Sequence, residues 1–158
     1  MFYHAAMKIF IFAQGKLKAN TPEAQLINFY AKQCSCPIVI REFEEKRSLS
    51  PAQLKRAESQ MMLDALPPDA YVVALDERGV SMSSVQLADK LQQQAQTFSS
   101  FVFCIGGAFG HDEILRKHAN LVLSFGQMTL PHFLLRVVLV EQIYRVQTLW
   151  AHHPYHKA

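Results

Sequence analysis

Cysteine is scarce in this chain, with three residues among 158. So few cysteines do not make a disulfide framework in a chain of this length. Cys34 and Cys36 have the wrong spacing for a zinc knuckle, and no second cysteine pair is present to complete one. Cys104 lies in the apolar run FVFCI and is predicted to be a small core residue. The cysteines therefore argue against both a disulfide-rich protein and a structural zinc site.

The glycine motifs of common nucleotide-binding proteins are also missing. The one glycine loop reads GGAFG from Gly106 to Gly110 and follows the fourth predicted strand, whereas a dinucleotide fingerprint reads GxGxxG after a first strand. The P-loop signature is absent. These absences disfavour a Rossmann-type nucleotide enzyme. Glycine nevertheless tolerates positive φ and has no Cβ, so a ligand can approach this loop closely.

Charged residues make up only 18% of the chain, and their balance gives a formal net charge of +3. This small positive charge favours a polyanionic partner only mildly, because a protein that binds nucleic acid mainly by electrostatics is usually more basic. The chain is 50% hydrophobic and has the length of one ordinary domain, so we do not expect disorder. Its last apolar segment is interrupted by Arg136, Glu141 and Arg145, which argues against a membrane span.

The start of the chain shows no signal-peptide pattern, so a cytoplasmic location is the expectation. Residues 1–6 are interpreted as a leader or extension without an assigned role, with Met7 as a candidate natural start. Residues 1–158 are otherwise predicted to form a single domain.

Short apolar strands alternate with helices along the chain. The strands are predicted at residues 8–13, 37–43, 71–75, 101–105 and 121–123. The helices are predicted to open at Thr21-Pro22, at Ser50-Pro51 (ending near Leu66), at Ser83 (ending near Thr97), near Asp112 and at Pro131. Strands with little polar alternation, separated by helices, imply an α/β fold with a mostly parallel sheet flanked by helices.

Three predicted loops follow strand ends, where open α/β sheets bind ligands. They are residues 76–79, 106–110 and 124–131. The third loop carries few charges, so any ligand there would be held largely by backbone N–H and C=O groups. Adenine and ribose suit such a loop, whereas a bare triphosphate does not.

The helix after Pro131 is apolar nearly all round and must be covered by protein, either in a core or at a subunit interface. His132 and Arg136 are four residues apart and share a face beside the third loop, which favours a site role. Glu141 and Arg145 are also four apart, in the order that favours a structural ion pair.

Histidines in the tail raise the possibility of a metal site. His152, His153 and His156 could supply imidazoles, but Pro154 would break a helix between them and no carboxylate lies in the tail. We therefore predict no metal. The alternative is a solvated histidine-rich tail. Tyr155 argues against that alternative, because tyrosine tends to lie in interfaces with its hydroxyl paired.

Spacing alone reveals no Ser–His–Asp or Cys–His arrangement and no paired carboxylates for glycoside chemistry. Methyl transfer from S-adenosylmethionine fits this absence, because the donor arrives activated and the enzyme mainly positions donor and acceptor and excludes water. Such a site needs only backbone loops and one or two groups that orient the acceptor and help remove its proton.

From Met7 onward the chain resembles the ribosomal RNA large subunit methyltransferase H family, of the SPOUT class. The specific runs are IGGAFG around Gly106, MTLPHFLLRVVLVEQIYR from Met128 and the terminal HPYHK; MKI, GKLK from Gly15 and LDERG from Leu75 are supportive. The resemblance implies a C-terminal trefoil knot, a homodimer, and S-adenosylmethionine-dependent methylation of N3 of a pseudouridine in large-subunit (23S) ribosomal RNA of the assembled ribosome. Gln33 departs from the family, which often has Arg there.

Carried over residue by residue, the resemblance assigns two sets of site residues. The implied cofactor contacts are Leu75, Gly106, Phe125, Gly126, Gln127, Met128, Thr129 and Leu130. The residues implied to face the nucleotide are His132, Arg136, Tyr155 and His156, with the tail reaching across the dimer. A neutral histidine or a tyrosine oxygen is able to accept the N3 proton, and the choice stays open. A SPOUT-like ribosome- or RNA-binding module without turnover is the competing hypothesis.

Overall fold

The computed structural model describes residues 7–157, so the interpretation of residues 1–6 lies outside the described part. Ten elements alternate within residues 7–157. The strands are β1 (Lys8–Gln14), β2 (Ile38–Phe43), β3 (Ala70–Ser81), β4 (Ser100–Ile105) and β5 (Leu121–Ser124). The helices are α1 (Pro22–Ala31), α2 (Pro51–Asp64), α3 (Ser84–Gln94), α4 (Glu113–His118) and α5 (His132–Trp150). The predicted alternation of strands and helices is confirmed.

The five strands form one sheet in the order β2-β1-β4-β3-β5, and every neighbouring pair is parallel. Helices α1, α3 and α5 pack together on one face, and α2 and α4 cover the other. The central strand β4 is buried along its whole length, including Cys104. The predicted α/β class, with a parallel sheet covered on both faces, is therefore confirmed.

Helix starts follow the capping residues of the sequence. The side chains of Thr21, Ser50 and Ser83 each accept a hydrogen bond from the first turn, and the two serines form reciprocal capping boxes with glutamine. Helix α5 has no side-chain cap and is held instead by burial, because its apolar surface packs on α1 and α3. A helix that is apolar nearly all round must be covered by other parts of the protein, and α1 and α3 cover α5 in this way.

One predicted boundary is wrong. Residues 76–79 are not a free loop after β3 but an irregular part of that strand, which continues to Ser81. Both Leu75 and Val80 align with Leu123 of β5, so the intervening residues bulge out of the ladder. Gly79 permits this, because a Cβ there would lie 2.5 Å from the Val122 carbonyl oxygen.

Candidate functional site

A cleft of about 470 Å³ opens at the carboxyl ends of the three neighbouring strands β4, β3 and β5. Its size falls within the range usual for small-molecule sites. Three segments line it: residues 75–78 of β3, residues 105–110 at the end of β4 and after it, and residues 123–135 around the β5–α5 connection. In the third segment, Ser124, Gln127, Phe133 and Leu134 are not part of the lining. The three predicted ligand-binding segments thus meet in one cleft.

Seven of the eight residues expected to contact a cofactor line this cleft. They are Leu75, Gly106, Phe125, Gly126, Met128, Thr129 and Leu130. Gln127 is exposed and is not part of the lining. The charged or titratable lining side chains are Asp76, Glu77, Arg78 and His132, so most of the wall is apolar or backbone.

The β5–α5 connection is shaped by a tight turn after β5. Gly126 has φ +123°, a conformation that favours glycine. The Ser124 hydroxyl donates to the Gly126 carbonyl at 3.0 Å and accepts from the Gly126 N–H at 3.1 Å. This pairing fixes the backbone just where the chain enters the cleft wall.

The glycine loop is supported from beneath by His111, whose side chain is buried. Its Nε2 lies 2.9 Å from the Cys104 carbonyl oxygen, and burial lowers the pKa of the imidazole, so the neutral ring donates there. Within the loop, a Cβ on Gly106 would lie 2.8 Å from the Gly110 carbonyl carbon. The missing side chain at Gly106 therefore lets the loop fold onto itself.

The bulge in β3 presents an ion pair to the cleft. Asp76 accepts from the backbone N–H and the Nε of Arg78, both at 2.9 Å, and from Nη2 at 2.8 Å. Burial would raise the pKa of Asp76, but the bonds from Arg78 outweigh it and lower the pKa. The carboxylate is thus ionised and occupied, which makes it a poor proton acceptor.

His132, at the first position of α5, is half-buried in the cleft wall. Burial lowers the pKa of its imidazole, and the nearby positive charge of Arg136 lowers it further. The ring packs against Phe133 with 4.3 Å between ring centroids. A neutral imidazole therefore faces the cleft at neutral pH.

Arg136 lies one turn further along α5 but is not part of the cleft lining. Its side chain is 1% exposed and donates to Glu42 Oε2 at 2.7 Å and to the Gly15 carbonyl at 3.2 Å. The same Glu42 oxygen accepts the Leu17 N–H at 2.6 Å. In the single chain Arg136 therefore joins β2 and the β1–α1 loop to α5.

Tyr155 and His156 also lie outside the cleft lining of their own chain. The tail folds back onto α5, where the Tyr155 hydroxyl donates to Glu141 Oε1 at 2.9 Å and His156 Nδ1 lies 3.2 Å from Arg145 Nη1. Glu141 is nine residues after His132, or about 13 Å along the helix axis at ~1.5 Å per residue. The predicted Glu141–Arg145 ion pair is confirmed.

Among residues 7–157, the described part of the chain, no group of three or more His, Cys, Asp or Glu side chains is arranged to hold a metal ion. No helix within those residues combines the length and hydropathy that a membrane span requires.

Comparison with known proteins places the chain in a family. A family model described as "Predicted SPOUT methyltransferase" matches residues 7–156. A ribosomal RNA large subunit methyltransferase H from Paramagnetospirillum magneticum is 45% identical over 96% of this chain and 99% of its own length. The chain belongs to the ribosomal RNA large subunit methyltransferase H family. A second member, from Mesorhizobium japonicum, is 44% identical over 96% of this chain and all of its own length.

A solved structure supports the fold of this methyltransferase family in the chain. Ribosomal RNA small subunit methyltransferase E from Neisseria gonorrhoeae, determined with S-adenosyl methionine bound, superposes with a TM-score of 0.54. The match covers 91% of this chain and 67% of the other at 13% identity, so it bears on the SPOUT fold alone.

Two residues that hold this region together were not predicted from the sequence: His111, which supports the glycine loop, and Glu42, which pairs with Arg136. Neither has a signal in local sequence, because their partners Cys104 and Arg136 are recognisable only once the sheet is assembled.

Proposed function

We propose that the protein is an S-adenosylmethionine-dependent methyltransferase that acts on N3 of a pseudouridine in large-subunit (23S) ribosomal RNA. Membership of the methyltransferase H family supports the class of substrate. The meeting of three strand ends in one mostly uncharged cleft is the structural observation that carries the proposal. Such a protein works in the cytoplasm, on the assembled ribosome.

The cleft residues fit the cofactor. An adenosine moiety needs apolar walls and backbone hydrogen-bonding groups rather than a cluster of cations, and the lining offers mainly these. Leu75, Leu130 and Phe125 would supply the apolar walls, and the backbone around Gly106 and Gly126 the polar contacts. The cofactor brings a methyl group on a sulfonium, and its transfer to N3 leaves S-adenosylhomocysteine and releases the N3 proton.

The side chains of this protein have to orient the base and accept that proton. We assign the acceptor role to His132, because it is a neutral imidazole in the cleft wall, whereas Asp76 is occupied by Arg78. Arg136 is paired with Glu42 inside the single chain, so we assign it no phosphate contact; its positive charge helps to keep His132 neutral. Exclusion of water by the closed site would strengthen these contacts.

We further propose a knotted homodimer in which the tail of one subunit completes the cleft of the other. The cluster formed by Tyr155 and His156 lies well along α5 from the cleft of its own chain. A second copy can bring the same side chains to the cleft through a two-fold axis.

Calorimetry and a methylation assay test the assignment together. We expect purified protein to bind S-adenosylmethionine and to transfer a methyl group to large-subunit RNA in ribosomes, detected by mass spectrometry of the nucleosides. Binding without transfer would favour a ribosome-binding module instead. Absence of binding at millimolar cofactor would contradict both the cleft assignment and the enzyme.

A first prediction compares neighbouring glycines of the loop. Gly106→Ala should weaken cofactor affinity at least tenfold (about 1.4 kcal/mol), because its Cβ would push the Gly110 backbone out of the cleft wall. Gly107→Ala is the matched control, since the atoms nearest to its Cβ belong to the Glu58 carboxylate, the end of a side chain that can move. Calorimetry measures both. Wild-type affinity in Gly106→Ala would show that this part of the loop does not shape the cofactor site.

A second prediction tests the shared site. Tyr155→Ala should keep cofactor affinity but lose methylation, whereas Gly106→Ala should bind the cofactor at least tenfold more weakly and is assayed at a cofactor concentration that leaves its site empty. If the tail acts on the other subunit, mixing and re-associating the two variants should restore about a quarter of wild-type activity, since half the dimers gain one complete site. No recovery, with mixed dimers shown to form by native mass spectrometry, would mean that the tail acts within its own chain.

A further inference from the structure

Four side chains form a connected cluster where the tail returns to α5: Glu141, Arg145, Tyr155 and His156, here called the tail clamp. Glu141 Oε1 accepts from Arg145 Nε at 3.1 Å and from the Tyr155 hydroxyl at 2.9 Å. Arg145 lies over the Tyr155 ring, 4.8 Å from its centroid, and its Nη1 reaches His156 Nδ1 at 3.2 Å. Every member thus contacts at least one other through an oriented bond.

The clamp is better anchored than an ordinary surface ion pair. The side chains of Arg145 and Glu141 are only 24% and 16% exposed. Gln142 donates to the second oxygen of Glu141 at 2.8 Å and accepts from Ser84 of α3 at 2.7 Å. Isolated exposed pairs contribute little, but a network with fixed geometry can hold a side chain in one orientation.

The direction of each hydrogen bond follows from the chemistry of the groups. A guanidinium only donates, so His156 Nδ1 must be the acceptor and the neutral ring must carry its proton on Nε2. A carboxylate only accepts, so the Tyr155 hydroxyl donates to Glu141. Burial, followed by the bond to Glu141, raises the pKa of Tyr155, which keeps its proton in place.

We propose that Glu141 and Arg145 are positioning residues for methyl transfer, which present Tyr155 and His156 to the RNA base with His156 Nε2–H as a hydrogen-bond donor. This inference rests on the proposed function. When N3 loses its proton, negative charge spreads to the two ring carbonyl oxygens that flank it. A preorganised N–H aimed at one of those oxygens stabilises that charge. The N3 proton itself goes to His132, because the Tyr155 hydroxyl keeps its own proton and His156 Nδ1 is already bonded to Arg145.

Two substitutions separate positioning from folding. Arg145→Lys keeps the charge and a bond to Glu141 but cannot reach Glu141 and His156 together. Glu141→Leu removes the carboxylate that accepts from Arg145, Tyr155 and Gln142. We expect each to lower kcat about 10- to 100-fold while the Kd for S-adenosylmethionine changes less than about twofold. Glu141→Gln keeps an acceptor oxygen for Tyr155 and should recover much of the activity. Glu113→Gln, in the exposed i,i+4 pair with Lys117 on α4, is the matched control and should be unchanged.

Nitrogen-15 NMR of the histidine rings tests the geometry without turnover. Wild-type protein should show His156 as the Nε2–H tautomer at neutral pH, and Arg145→Lys should shift it toward a mixture. A protonated Nδ1 in the wild type, or full activity in folded Glu141→Leu, would overturn the inference. If wild-type protein transfers no methyl group, the proposed function fails instead, and the tautomer alone then decides whether Arg145 orients His156.

Discussion

His132→Ala is expected to lower the rate of methylation by about 10²–10⁴-fold, the usual contribution of a positioned proton acceptor. The imidazole lines the cleft, and its pKa is lowered by burial and by Arg136, so it is unprotonated when the RNA base arrives. Cofactor affinity should change only a few-fold, because most of the cleft wall is backbone and apolar side chain. Single-turnover methylation assays with saturating cofactor measure the effect.

The pH dependence of the methylation rate tests whether His132 acts as a base. A base acts in its deprotonated form, so the wild-type rate should rise with pH below His132's ordinary pKa of about 6.5 and then level off. The charged group that lowers the pKa of His132 is Arg136. The other charged side chains of the cleft lining are Asp76, Glu77 and Arg78. His132→Ala should lose this acid limb.

The exposed His118 on α4 gives a matched control, because His118→Ala removes an imidazole that does not line the cleft. Its rate and pH profile should match those of the wild type. An unaltered rate in His132→Ala, or an acid limb that persists in it, would assign proton removal to another group.

Glu42→Leu should cause the largest loss of stability, about 3–5 kcal/mol, because it leaves the Arg136 guanidinium buried without its carboxylate. For a chain of this size that corresponds to a fall in Tm of roughly 6–20 °C. The Leu17 N–H loses its acceptor in the same step. Urea unfolding followed by circular dichroism measures the change in free energy.

Two further variants test whether the buried charge of Arg136 causes the loss of stability. Glu44→Leu removes a carboxylate two residues away whose pair with Lys16 is long and exposed, so stability should change by less than about 1 kcal/mol. Glu42→Leu combined with Arg136→Met should be more stable than Glu42→Leu alone, since no uncompensated charge remains buried. A double variant as unstable as the single one would show that packing around Glu42, rather than charge, holds the region.

Acid should weaken the same pair. Burial would raise the pKa of Glu42, but hydrogen bonds from Arg136 and Leu17 outweigh it and lower the pKa. A carboxyl whose pKa is depressed on folding stabilises the native state above its unfolded pKa, about 4.3 for glutamate, and that contribution is lost as pH falls through the folded value. Glu42→Leu should therefore lose less stability than the wild type on acidification.

Local patterns were enough to predict much of the fold. Apolar runs marked each strand, and Thr21, Ser50 and Ser83 marked helix starts, because capping depends on residues three positions apart. The cleft was also predictable, since the carboxyl ends of parallel strands share one edge of a sheet. The bulge at residues 76–79 was not, because it depends on how closely Gly79 approaches β5.

Long-range pairs explain what sequence could not reveal. Arg136 was predicted to face the RNA base, but its carboxylate partner Glu42 is 94 positions away and sits on an edge strand. The tail of the chain was predicted to act in a site, and nothing in its spacing indicated that Tyr155 would bond to Glu141. In both cases the sequence showed that the side chain can form hydrogen bonds, but its bonding partner was determined by tertiary packing.

The bonds that α5 makes with the opening third of the chain have a consequence for biosynthesis. Arg136 reaches back 121 positions to Gly15, and Gln147 reaches back 111 positions to Cys36. Contacts with such long separation along the chain form late, after the entropy of closing large loops has been overcome. During translation, the apolar sheet face that α5 covers therefore stays exposed to solvent until the codons of α5 have been read, and the nascent chain must avoid aggregation through that interval.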